Sequence, residues 1–182
     1  MNYAEIKYCD IANGVGVRTT LFVSGCRHAC PGCFNAEAWD FAAGEPFTSD
    51  VENKILESLK TPYVSGLSVL GGEPLEPENQ EALAPFLERV RKDDPNTSVW
   101  LWSGFTWEEL MRHDSRANTL HLKRILSCLD VLVDGPFVES QKDAMLRFRG
   151  SANQRLIDVA ASLKKGEPIP WEDQRIFSTH SW

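Results

Sequence analysis

No apolar run in this sequence approaches the ~20 residues that cross a bilayer, so a membrane span is excluded on length. Met1 to Asp10 has neither the basic start nor the apolar middle of an export signal, which predicts a cytoplasmic protein. Positive charge is also in short supply. Lys and Arg number 19 against 26 Asp and Glu, a net charge of −7, whereas a groove that tracks phosphates needs a basic surplus. Nucleic acid is therefore not expected as the main partner, although Arg147, Arg149 and Arg155 lie close together in sequence. Cysteines are few and odd in number, at five. Without an export signal, that argues against a disulfide framework. The chain has no internal repeat, no low-complexity tract and no second Cys-x2-Cys pair. At 182 residues it has the length for one domain with a real core, not for two.

What is present is alternation of short elements. Residues 6–8 end a short first strand, and Asn13-Gly14-Val15-Gly16 marks a turn. Residues 19–23 (TTLFV) predict a buried strand, 24–35 a loop and 36–41 a short helix. Ser49 and Glu52 have the spacing of a capping box, ahead of Val51, Ile55, Leu56 and Leu59 on one helical face. Residues 67–70 (LSVL) form a strand that runs into Gly71-Gly72-Glu73-Pro74. Leu83, Phe86, Leu87 and Val90 recur at helical spacing, with Pro85 expected to kink that helix or mark its start. Strands follow at 99–102, 131–133 and 156–159. Helices are expected after a capping box at Thr106 and Glu109 and again at 120–126. The pattern predicts an α/β protein with βα units around a mostly parallel sheet. Residues 1–160 form its domain, and 161–182 a tail with Pro168, Pro170, Trp171 and Trp182 and no readable pattern.

Ligands gather at the carboxyl ends of parallel strands. Four suggestive groups fall there: the cysteine loop after TTLFV, the Gly71-Gly72-Glu73 turn, Ser103 and Asp134. The loop reads Cys26-x3-Cys30-x2-Cys33. Three thiolates on a short glycine-containing loop hold three corners of a 4Fe-4S cluster and leave one iron open. Spacing alone leaves two alternatives standing. His28 lies inside the loop as a possible fourth zinc ligand, and Cys9 or Cys128 is available to close a four-cysteine cluster.

The cysteine spacing resembles the signature of radical S-adenosylmethionine enzymes, and Gly71-Gly72-Glu73-Pro74 resembles their second motif. The string GCRHACPGCFN from Gly25 to Asn35 is closer to one branch, the activating proteins of anaerobic (class III) ribonucleoside-triphosphate reductase. DIANGVGVRTTLFVS from Asp10, WSGF from Trp102, VLVDGPF from Val131 and RGSANQR from Arg149 are similar to that branch as well. Many members of the wider family carry an aromatic residue before the last cysteine. Here Gly32 takes that place and Phe34 follows the cysteine, as in the activating branch.

The resemblance implies a radical S-adenosylmethionine fold, a partial, open βα barrel. It implies an oxidoreductase with a 4Fe-4S cluster on Cys26, Cys30 and Cys33. S-adenosylmethionine would meet Gly32, Cys33, Phe34, Gly71, Gly72 and Glu73, with Ser103 and Asp134 as strand-end candidates. No catalytic side chain beyond the cluster and its substrate is implied. Arg149, Asn153 and Arg155 are candidates for docking the reductase, the protein substrate. Reduced flavodoxin or ferredoxin is the implied electron donor. Other small radical S-adenosylmethionine enzymes are the competing enzyme reading: another glycyl-radical activase, or a 7-deazaguanine-type ring-forming enzyme. A non-catalytic zinc or closed Fe–S protein is the competing reading from another class. Activases of other glycyl-radical enzymes often carry a ferredoxin-like insert with extra cysteines, and this sequence has none.

Overall fold

The computed structural model describes residues 1–173. Its strands are β1 (Asn2–Asp10), β2 (Val17–Val23), β3 (Glu45–Pro46), β4 (Val64–Gly71), β5 (Ser98–Trp102), β6 (Val131–Asp134), β7 (Arg155–Asp158) and β8 (Ile169–Pro170). They form one sheet in the order β3-β1-β2-β4-β5-β6-β7-β8. The centre, β2-β4-β5-β6, is parallel, and the margins are antiparallel. Among the described residues no pairing joins β3 to β8, so the sheet does not close into a barrel.

The helices are α1 (Ser49–Leu59), α2 (Pro77–Asp93), α3 (Trp107–Met111), α4 (Leu122–Ser127) and α5 (Val159–Lys165). Period-two alternation along the strands sorts the two sheet faces. Leu21, Val23, Leu67, Val69, Val99, Leu101 and Leu132 point into one large core. That core also takes the apolar sides of the helices, including Ile55, Leu83, Leu87, Leu110 and Ile125. On the other face, Trp100, Val131 and Val133 form a smaller cluster with Trp102, Phe148 and Trp171. Arg18, Thr20 and Ser68 are buried polar residues of β2 and β4, and Arg18 Nε donates to Ser68 Oγ at 2.6 Å.

Three local expectations need correction. The helix α1 starts at Ser49 with Thr48 as its N-cap, and no side-chain capping bond forms. Glu52 is not free to close a capping box, because its carboxylate accepts from Arg89 of α2. Pro85 neither starts nor ends α2, which runs through it from Pro77. Pro85 and Glu81 are both exposed, so the carbonyl the ring leaves unpaired lies on the solvent side. The first strand is longer than expected. Its side chains are mostly exposed, and the backbone ladders to β2 and β3 define it rather than a hydrophobic pattern. The capping box at Thr106 and Glu109 forms as expected. α5, which leads into the tail, packs on the core through Val159, and in the tail β8 pairs with β7. Trp182 lies outside the described residues.

Candidate functional site

Parallel pairing brings the carboxyl ends of β2, β4, β5 and β6 to one sheet edge. A cavity of about 400 Å³ opens there, bordered by Cys26, Cys30, Cys33, Gly71, Gly72, Glu73 and Ser103. The thiols of Cys26, Cys30 and Cys33 are half-buried and unbridged. Main-chain bonds join the cysteine loop to the turn after β4. Gly72 N donates to Val23 O at 2.7 Å, and Glu73 N donates to Gly25 O at 2.8 Å. A Cβ on Gly71 would lie 2.6 Å from Val23 O, and one on Gly72 2.6 Å from Gly25 O. These two glycines therefore serve a close backbone approach between neighbouring strand ends.

Glu73 has no exposed surface, and its carboxylate is engaged on both oxygens. Oε1 accepts from Leu75 N at 2.8 Å and Ser103 Oγ at 2.9 Å. Oε2 accepts from Gly104 N at 2.7 Å and lies 3.0 Å from His28 Nε2, whose N–H points off the line to it. Ser103 thus faces the cavity while holding Glu73. Asp134 is buried and does not border the cavity. It accepts from Trp107 N at 2.7 Å, capping α3 from a distance, and from Arg155 Nε at 2.9 Å. Its neighbours Gly135 and Phe137 line the cavity instead.

The remaining candidates separate in the same way. Phe34 stands at the rim with its surface 98% exposed. Gly32 adopts φ +71°, and a Cβ there would lie 2.8 Å from the carboxyl end of Glu139. Arg149 borders the cavity; its Nη1 donates to Gln154 O, and its Nε has no hydrogen-bond partner. Asn153 donates to Pro136 O. Arg155 is paired with Glu108 as well as Asp134 and faces a separate cavity beside Pro168 and Trp171.

Two residues that the sequence reading did not assign to the site hold it together. Asn79, in the first turn of α2, donates to Ser24 O at 3.0 Å and to Glu73 O at 2.9 Å. Glu76 is fully buried and accepts from Arg27 N and Nη1, both at 3.0 Å, and from Arg116 Nη2 at 3.1 Å. Burial alone would push the Glu76 carboxyl up, but the bonds from Arg116 and Arg27 outweigh it and hold it below the ordinary value. The signal for Asn79 and Glu76 was polar residues in the first turn of a helix that follows a glycine turn, a pattern common enough to pass as ordinary.

The donor set fits a cluster with one open corner. Cys9 is exposed and near Tyr63, at 3.9 Å, and Cys128 is buried in the main core; neither borders the cavity. Among the described residues no three His, Cys, Asp or Glu side chains converge on one metal ion. A zinc ion needs all its donors within about 2.0–2.3 Å, while in a cluster each thiolate meets a different iron. Burial pushes the Cys26 thiol up to about 11 and also raises Cys30, whose sulfur is met by the Phe137 amide. Iron binding would displace those protons, since a coordinating thiol is deprotonated outright.

A family model described as a 4Fe-4S single cluster domain matches residues 12–157. The chain is 46% identical over 156 residues to the anaerobic ribonucleoside-triphosphate reductase-activating protein of Pasteurella multocida, covering 85% of this chain and 95% of that one. It is 42% identical to the protein of that name from Haemophilus influenzae, over 85% and 96%, and 35% identical to that of Enterobacteria phage T4, over 86% and 93%. No described helix is long and apolar enough to cross a membrane. The cluster-domain match takes in the whole parallel centre of the sheet and all three loop cysteines, and with relatives similar over nearly their full length the chain belongs to the family of anaerobic ribonucleoside-triphosphate reductase-activating proteins.

Proposed function

We propose that this chain reductively cleaves S-adenosylmethionine at a 4Fe-4S cluster and uses the 5′-deoxyadenosyl radical to form a glycyl radical on anaerobic ribonucleoside-triphosphate reductase. One observation carries the reading: three thiols, without a fourth, border a single cavity together with the turn at residues 71–73. Cys26, Cys30 and Cys33 would each hold one iron, leaving a fourth iron without a protein thiolate and open to S-adenosylmethionine. When bound, the cluster supplies the electron that splits the sulfonium into methionine and the radical. The partner's glycine then gives up a Cα hydrogen, leaving 5′-deoxyadenosine and the stored glycyl radical.

The chain's own residues bind, orient and shield. Gly71 and Gly72 take the amino end of the methionine moiety, held in place by Glu73 and Ser103. Phe34 and the backbone at Gly32 and Cys33 are assigned to the adenosine end. Leu70, Trp102, Phe137 and Phe148 line the cavity, and such walls keep water from a reactive radical. Arg149 is assigned to partner docking, with Asn153 shaping its segment. The internal pairing of Asp134 and Arg155 gives both a supporting part.

A sheet without closure, its helices on one face, suits a partial βα barrel of the radical S-adenosylmethionine type, since a protein substrate must reach the strand ends. Residues 1–160 are the unit that carries this chemistry, and 161–182 are its appendage. A reduced flavodoxin or ferredoxin is the proposed donor, and the cytoplasm the proposed location.

The test incubates anaerobically reconstituted protein with dithionite, S-adenosylmethionine and the reductase. The expected result is a glycyl-radical doublet in the EPR spectrum together with 5′-deoxyadenosine. An intact cluster that cleaves S-adenosylmethionine and yields no doublet rejects the partner. Bound zinc without iron rejects the chemistry.

A further inference from the structure

His28 sits at the tip of the cysteine loop, between two of the cysteines, and borders the cavity. Its side chain is 15% exposed. Its ring meets Phe105 edge-on at 4.5 Å. On another side it lies against Gly104, where a Cβ would come within 2.7 Å of the imidazole. Packing therefore sets where Nε2 points, and it reaches the same Glu73 oxygen that accepts from Gly104 N. The base of the loop is already tied to the glycine turn by main-chain bonds. The tip is not, and Ala29, just after His28, adopts φ +48°, a conformation disfavoured for a residue with a Cβ.

We propose that His28 is a positioning residue for S-adenosylmethionine: through Glu73 it fixes the separation between the tip of the cysteine loop and the turn at residues 71–73. The inference rests on the function proposed above. S-adenosylmethionine must reach the open iron with its amino-acid end while the turn holds the same end. Its affinity then depends on the spacing of two loops that come from different strands. Glu73 contacts both loops and the end of β5 at once, and His28 is the loop-tip side chain that meets it. The role differs from that of a cluster ligand, because no step requires the imidazole to touch iron.

Two variants separate the role from mere filling of space. His28→Phe keeps a ring against Phe105 and Gly104 and loses the donor. His28→Gln keeps a donor and loses the ring. Both are reconstituted anaerobically, assayed for iron and sulfide, and titrated with S-adenosylmethionine while the reduced-cluster EPR signal is followed. His28→Phe is expected to keep about four irons per chain and to bind S-adenosylmethionine roughly tenfold more weakly, the scale of losing one close polar contact with a carboxylate. His28→Gln is expected to recover most of that loss. Unchanged affinity in His28→Phe overturns the proposal. So does loss of iron in both variants, which would make His28 part of the cluster site itself. Wild-type protein that binds S-adenosylmethionine at its cluster but forms no glycyl radical rejects the function above and leaves this assignment standing.

Discussion

The side-chain amide of Asn79 donates to the main-chain carbonyl of Glu73 at 2.9 Å, and the same nitrogen reaches Ser24 O at 3.0 Å. One buried residue on α2 thus joins the start of the cysteine loop to the glycine turn. Asn79→Ala removes both bonds, leaving Glu73 O only the bond from Glu76 N, and is expected to cost about 2–3 kcal/mol. In a chain of this length that lowers the melting temperature by roughly 5–10 °C. Thermal unfolding of the metal-free protein checks it, and a shift under 2 °C would show that the loops hold each other without Asn79.

The five cysteines should divide three and two. Cys26→Ala, Cys30→Ala and Cys33→Ala are each expected to abolish S-adenosylmethionine cleavage and to leave the chain well short of four irons. Cys9→Ala should keep both cluster and activity. Cys128→Ala should keep them too, at a cost of about 1–2 kcal/mol for the small cavity left in the core. Iron and sulfide assays with 5′-deoxyadenosine quantification decide the matter. A full loss in Cys9→Ala at normal folding would mean the ligand set is wrong.

Glu76 gives the site an acid sensitivity. Its carboxyl is held below its ordinary value of 4.5 despite burial, chiefly by the Arg116 and Arg27 bonds. A depressed folded-state value stabilises the fold above the unfolded value, and that contribution is lost as pH falls through the folded value. Glu76→Gln is therefore expected to cost about 1–2 kcal/mol at pH 7, discounted because both arginines are partly exposed. The difference from wild type should shrink as pH drops below 4.5. Urea unfolding at several pH values measures it. A difference that stays constant with pH would assign the loss to packing instead.

Much of the site was legible because it is local. Three thiols within eight residues and two glycines with an acid at the end of an apolar strand need no tertiary information. Alternation of short strands and helices was enough to place the strand ends, and the parallel pairing of β2, β4, β5 and β6 gathers them at one edge. Only the end of β1 was legible, because backbone bonds to β2 and β3, not side-chain burial, define its length.

Sequence alone was enough to recognise the family, and to single out three thiols in one loop motif that no fourth thiol shares. Tertiary structure decided what the acidic and polar groups do. Glu73 and Asp134 look alike in sequence, each an acid at the end of a buried strand. In the fold both carboxylates have protein partners, Glu73 at the cavity wall and Asp134 beneath it. Buried carboxylates must be satisfied, and their donors come from distant segments: Ser103 and Gly104 for Glu73, Trp107 and Arg155 for Asp134. Long-range partners of that kind leave no periodicity or spacing in the chain, so the division between a wall residue and a supporting one appears only once the strands are side by side.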